Sequence, residues 1–211
     1  MAIKDYDEMN MLELDMIREV GSIGTGNAAS ALSGLLGTSV GITLPRVLIL
    51  GHNEAREKLG DPEKVVVGVI SQMSGDISGI MLFLFDLDYI NAILKRLVGK
   101  EAASYQELGE LELSALTEVG NITISTYVNA LSTLAGMTIS LSVPAVAIDM
   151  LGGLLAVPIA QFGYETDKLL MLDGKFCMDG KEYDSNMLMM PDIQSLNSLM
   201  KKLGGEEWSG R

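Results

Sequence analysis

The chain is written twice. Residues 12–37 read LELDMIREVGSIGTGNAASALSGLLG and residues 111–136 read LELSALTEVGNITISTYVNALSTLAG, identical at 12 of 26 positions at an offset of 99. The register runs on through Pro45 and Pro144, then Val47 and Val146. Near the ends, FLFDLDYINAILKRLVG (83–99) matches MMPDIQSLNSLMKKLGG (189–205) at an offset of 106, so seven residues were gained inside the second copy. A repeat of this length restricts the fold more than composition does. Two copies are too few for a solenoid. The expectation is one domain of two units, 1–106 and 107–211, related by a pseudo-twofold axis around a shared core.

Each copy reads as a long helix, three or more strand-like runs and a short helix. In the first unit the runs are 39–49, 64–73 and 79–85, followed by a helix from Leu87 to Leu97. In the second they fall near 138–148, 154–163, 168–176 and 183–190. Gly75-Asp76, Asp173-Gly174 and Asp179-Gly180 are turn signals, the last two absorbing the extra residues. The predicted class is α+β: a mainly antiparallel sheet of about six strands, flanked by helices.

On a helical wheel, at about 100° per residue, Leu14, Ile17, Gly21, Gly24, Ala28, Ala31 and Leu35 share one arc. So do Leu113, Leu116, Gly120, Thr123, Tyr127, Ala130 and Leu134. These are the expected buried stripes, and their small residues imply close approach to another element. Asp15, Glu19, Ser22 and Gly26 fall on the opposite side, as do Ser114, Glu118, Asn121 and Ser125. Each long helix thus offers solvent an acid and a small polar group three residues apart, neighbours on the surface. From the residues alone this is a protein-facing surface or an ordinary solvated face.

Composition narrows the rest. The 211 residues carry 15 basic and 28 acidic side chains, a net charge of −13, which disfavours polyanionic partners: no nucleic acid and no anionic membrane. One cysteine, Cys177, excludes an internal disulfide framework, and one histidine, His52, excludes histidine-cluster zinc sites. No cofactor motif and no metal-ligand cluster is visible. Met1 to Glu8 lacks the apolar region of a signal peptide. The apolar stretch 146–160 is too short to span a bilayer. A cytoplasmic protein without membrane insertion is expected. GSIGTG (21–26) is read as close helix packing, because no strand precedes it. His52 is placed in an exposed loop, Cys177 buried in a strand, Met187, Met189 and Met190 in the core, and Trp208 in a polar tail.

The pattern Asp/Ser-x3-Glu-x2-Asn-x22-Pro resembles that of the CheC/CheX/FliY family of chemotaxis response-regulator phosphatases. The second unit matches at Ser114, Glu118, Asn121 and Pro144. The first matches at Asp15, Glu19 and Pro45 and departs at Ser22, where the family has Asn. The flanking GSIGTGNAASAL, ITLPRV and LSVPAV resemble the family's helix and strands, and the two-unit plan resembles its two-site CheC branch. The resemblance implies hydrolysis of the aspartyl phosphate on a phosphorylated CheY-type response regulator. Asn121 would orient the attacking water and Glu118 would pair with the receiver's lysine. The receiver, not this chain, would supply Mg²⁺. A serine is too short to replace the carboxamide, so Glu19/Ser22 is expected to be weak or silent. The family also implies the receptor deamidase CheD as a partner. The alternative is a non-catalytic module that sequesters CheD, or a structural protein like the FliM motor-switch proteins.

Overall fold

The two long helices are bounded by side-chain and backbone chemistry that the sequence spells out. In a computed structural model describing residues 5–43, 46–162 and 168–204, α1 spans Met11–Leu36 and α4 spans Glu110–Ala135. Asn10 caps α1 by accepting from the Glu13 N–H at 3.1 Å, while Glu13 accepts from the Asn10 N–H at 2.8 Å. At the start of α4 the Gly109 N–H donates to Glu112 at 2.9 Å. Both helices stop at a glycine in the left-handed region, Gly37 at φ 62° and Gly136 at φ 59°, where a side chain would be strained.

Among the described residues the sheet has eight strands in six lanes. They are β1 (Val40–Ile42), β2 (Arg46–Gly51), β3 (Val65–Gly75), β4 (Gly79–Phe85), β5 (Ile139–Leu141), β6 (Ala145–Met150), β7 (Lys168–Met178) and β8 (Lys181–Pro191). The order across the sheet is β1-β7-β8-β4-β3-β5, with β2 also on β7 and β6 also on β3. Among the described residues the strand pairings are antiparallel, including Val69↔Phe83, Leu82↔Leu188 and Leu172↔Met187. Strands from the two halves interleave. The first half's β1 and β2 close one edge on β7, and the second half's β5 and β6 close the other on β3.

Both faces of the sheet are covered. Along β4, Met81, Phe83 and Phe85 enter the larger core with α1, α4, α3 (Leu87–Leu97) and α6 (Ile193–Leu203). The alternate residues Ile80, Leu82 and Leu84 enter a smaller core beneath α2 (His52–Leu59) and α5 (Leu151–Phe162). Period-two alternation therefore fills two cores from one wholly apolar strand. The short helices α3 and α6 are capped by Asp86 and Asp192, which accept from the Tyr89 and Ser195 N–H groups.

The expected α+β class, the near-antiparallel sheet, both long helices and the helix at Leu87–Leu97 are present. Several finer expectations are corrected. The run expected as a strand at 154–163 is helical over 154–162, most of α5, and Gly163 lies outside the described residues. A short apolar run has no decisive period, and Leu151, Leu154 and Leu155, at helical spacing, are buried. The runs 39–49 and 138–148 are each two strands; the second breaks around Pro144, which has no N–H for a ladder. Asp173-Gly174 is not a turn. It lies within β7, where Asp173 binds Arg46 at 2.5 Å and Lys58 at 3.1 Å. The hairpin turn is Asp179-Gly180, both at positive φ. The gained residues lengthen α5 and the β7–β8 hairpin. His52 opens α2 and is half-buried rather than exposed in a loop. Cys177 lies in β7 but is only half-buried. Met187, Met189 and Met190 are buried. Trp208 lies outside the described residues.

Candidate functional site

The backbone of α4 is held from behind, and this positions the outward face. A Cβ on Gly120 would stand 2.7 Å from Cβ of Val69 on β3, so only glycine lets helix and sheet approach this closely. Gly24 of α1 meets Tyr127 of α4 in the same way, at 3.0 Å from its Cα. Leu116, Val119, Thr123 and Ile124 are buried around the contact. The Thr123 hydroxyl donates to the Val119 carbonyl at 2.8 Å, so its burial leaves no orphan donor. Burial also pushes the Tyr127 phenol above its ordinary value, keeping it neutral.

Ser114 and Glu118 are exposed on the opposite face, with Asn121 half-buried between helix and solvent. On α1, Asp15 and Glu19 are exposed and Ser22 is half-buried. Each expected acid thus lies beside its expected small polar partner, one helical turn apart. Among the described residues no ion pair engages Asp15, Glu19 or Glu118. These carboxylates are available to a cation from outside. Pro144 sits half-buried between β5 and β6, next to Val143, which is 89% exposed. Pro45 lies outside the described residues.

The predicted buried stripes are right at the helix crossing and wrong at the ends. Ala31, Leu35 and Leu134 are exposed, whereas Leu32, Leu36 and Ala135 are buried. The buried direction turns toward Leu32 and Leu36 in α1 and toward Ala135 in α4 because what each helix packs against changes along its length. One contact on the face was not read from the sequence: the Ser125 hydroxyl donates to Oδ1 of Asn121 at 3.4 Å. Its position on the face was legible; its partner was not.

A cleft of 760 Å³ lies elsewhere, lined by Asp86, Asp88, Lys95, Lys175, Tyr183 and Asp184 among others, and shares no residue with either motif face. Lys95 pairs with Glu101 at 2.9 Å and Lys175 pairs with Asp184, so much of its charge is internally satisfied. Among the described residues no three His, Cys, Asp or Glu side chains converge as metal ligands, and no helix is long and apolar enough to cross a membrane. The faces themselves offer a carboxylate, a carboxamide and hydroxyls on a rigid support. Such groups can accept from a cation and hold a water by hydrogen bonds; they include no nucleophile–base pair.

Comparison with known proteins bears on the same segments. The sequence profile of the CheC-like family matches twice, over residues 12–49 and 111–148. The chain is 29% identical to the CheY-P phosphatase CheC of Bacillus subtilis, over 91% of this chain and 94% of that protein. It is 31% identical to the flagellar motor switch phosphatase FliY of the same organism, over 69% of this chain and 38% of that protein. The crystal structure of Thermotoga maritima FliY shares the fold, with a TM-score of 0.73 and 24% identity over 95% of this chain and 100% of that one. The paired matches fall on the segments that build the two faces, and it is the CheC-like family that the chain resembles in both of them.

Proposed function

We propose that the chain hydrolyses the aspartyl phosphate of a CheY-type response regulator, with Glu118 and Asn121 as its working pair. The observation behind this reading is the placement of a carboxylate and a carboxamide one turn apart on the outward face of α4, whose inward face is locked against α1 and β3. Phosphoryl transfer has a loose transition state, so placing the nucleophile carries most of the catalysis. The Asn121 carboxamide both accepts and donates, which suits holding a water in line with phosphorus. Water adds to phosphorus, the bond from phosphorus to the aspartyl oxygen breaks, and inorganic phosphate leaves with the receiver carboxylate restored. Glu118 meets the receiver's lysine in a charge-assisted hydrogen bond that sets the docking register. Mg²⁺ belongs to the receiver in this scheme.

Ser114 and Pro144 complete the motif around this pair. Asp15, Glu19, Ser22 and Pro45 form its counterpart, in which Ser22 falls short of the water position, so that face docks without comparable turnover. The chain acts as one domain of two unequal units, 1–106 and 107–211, and CheD is a second protein partner. Release of phosphate from phosphorylated receiver tests the assignment. Asn121→Ala should abolish it, by about 10²–10³ as for other lost positioning groups, and Ser22→Asn should raise it. Wild-type turnover by Asn121→Ala would sink the proposal. The second reading, a module that only binds, draws on Ser22. It predicts capture of CheD or receiver with an unchanged rate of phosphoryl decay.

A further inference from the structure

Six hydroxyls of these helices bond back to a backbone carbonyl three or four residues before. Ser30 donates to Gly26, Ser33 to Ala29, Thr117 to Leu113 and Thr123 to Val119 at four residues, and Thr25 donates to Ser22 and Thr126 to Thr123 at three. Ser125 departs from the pattern. Its hydroxyl reaches the side chain four residues before, donating to Asn121 Oδ1 at 3.4 Å. At the offset of 99 the corresponding residues in α1 are Ser22 and Gly26, so carboxamide and hydroxyl are missing together. We infer that Ser125 is a positioning residue for the Asn121 carboxamide, and that the first half lacks this pair rather than the amide alone. The inference rests on the phosphatase reading of Glu118/Asn121.

An asparagine χ2 torsion is broad and roughly two-fold, yet the two ends of the group are chemically opposite. Left alone on a helix face, Asn121 would present oxygen and nitrogen to an incoming water in turn. A donor one turn away engages Oδ1 and leaves Nδ2 directed elsewhere, so the group meets the receiver already oriented. At 3.4 Å the contact is long for O–H···O; it biases the rotamer rather than locking it. The cost of losing it therefore falls below that of losing the amide. In α1 the space for the missing hydroxyl is open, since a Cβ built on Gly26 meets nothing within 4 Å.

The test uses the full chain and a CheY-type receiver phosphorylated with acetyl phosphate, measuring phosphate release at varied receiver concentration. Ser125→Ala should lower kcat by about 3–10-fold, the scale of one modest hydrogen bond, with KM unchanged. Alanine favours the helix, so the fold is secure. Ser125→Thr should retain more of kcat than Ser125→Ala. With Asn121→Ala silencing the second half, Ser22→Asn with Gly26→Ser should release phosphate faster than Ser22→Asn alone. A wild-type kcat in Ser125→Ala, a rise in KM alone, or a double variant no faster than the single one would overturn the inference. Asn121→Ala by itself separates the two levels. If it stays active, the phosphatase reading fails. If it is dead while Ser125→Ala is unimpaired, only the role of Ser125 fails.

Discussion

Glu118 has no ionic partner among the described residues and stands one turn from Asn121. Glu118→Gln keeps its shape and removes its charge, so it separates docking from water placement. KM for phosphorylated receiver should rise by about 10-fold or more, the scale of a charge-assisted hydrogen bond, with a smaller fall in kcat; steady-state kinetics reads both. Glu112, in the first turn of the same helix, does a different job. The Lys100 ammonium at 2.6 Å and nearby backbone donors hold its carboxyl below the ordinary range. A carboxyl lowered in the folded state stabilises it while ionised. Its contribution is therefore full above the unfolded value of 4.5 and is lost as pH falls through the lowered folded value. The difference in Tm between wild type and Glu112→Gln should shrink between about pH 7 and about pH 3. Glu118 and Asn121 could be placed from the sequence because a core-packed helix has a fixed period. The Ser125 contact could not, because a serine at that spacing can bond to the backbone or to a side chain, and only coordinates decide.

At the scale of elements, α4 is placed by what it lacks. Gly120→Ala drives a methyl into the β-branched Val69, whose Cβ cannot swing aside. Stability should fall by about 1–3 kcal/mol, seen as a lower midpoint in urea. Because Gly120 adjoins Asn121, turnover of the surviving folded protein should fall as well. The long helices, β3, β4 and the helix at Leu87–Leu97 were legible because they have long periodic patterns or clear turn residues. α5 was not: LLAVPIAQF is as apolar as a buried strand, and its burial on the back of the sheet depends on residues far away in sequence. The turn of the buried stripe toward Leu36 was hidden for a related reason, since what each turn of a helix packs against is set by the rest of the fold and a wheel describes one helix alone.

For the whole molecule, the net charge of −13 offers no long-range attraction to a receiver whose own net charge is negative. Under the proposed function recognition of such a receiver would be local, and KM should stay flat or fall as salt rises from about 50 to about 300 mM, where screening relieves repulsion between like charges. A steep salt-driven rise in KM would contradict that view. The interleaved sheet has a consequence of another kind. The residues that differ between the two faces, Asp15 and Ser114, Ser22 and Asn121, and Gly26 and Ser125, sit on the outer sides of the helices, so changing them leaves the cores alone. The segments that contain them cannot be discarded, because β1 and β2 shield the edge of β7 while β5 and β6 shield that of β3. The interleaving works as a one-way ratchet. A side chain on either outward face can be exchanged without touching the cores, but neither half can be shed without baring a sheet edge.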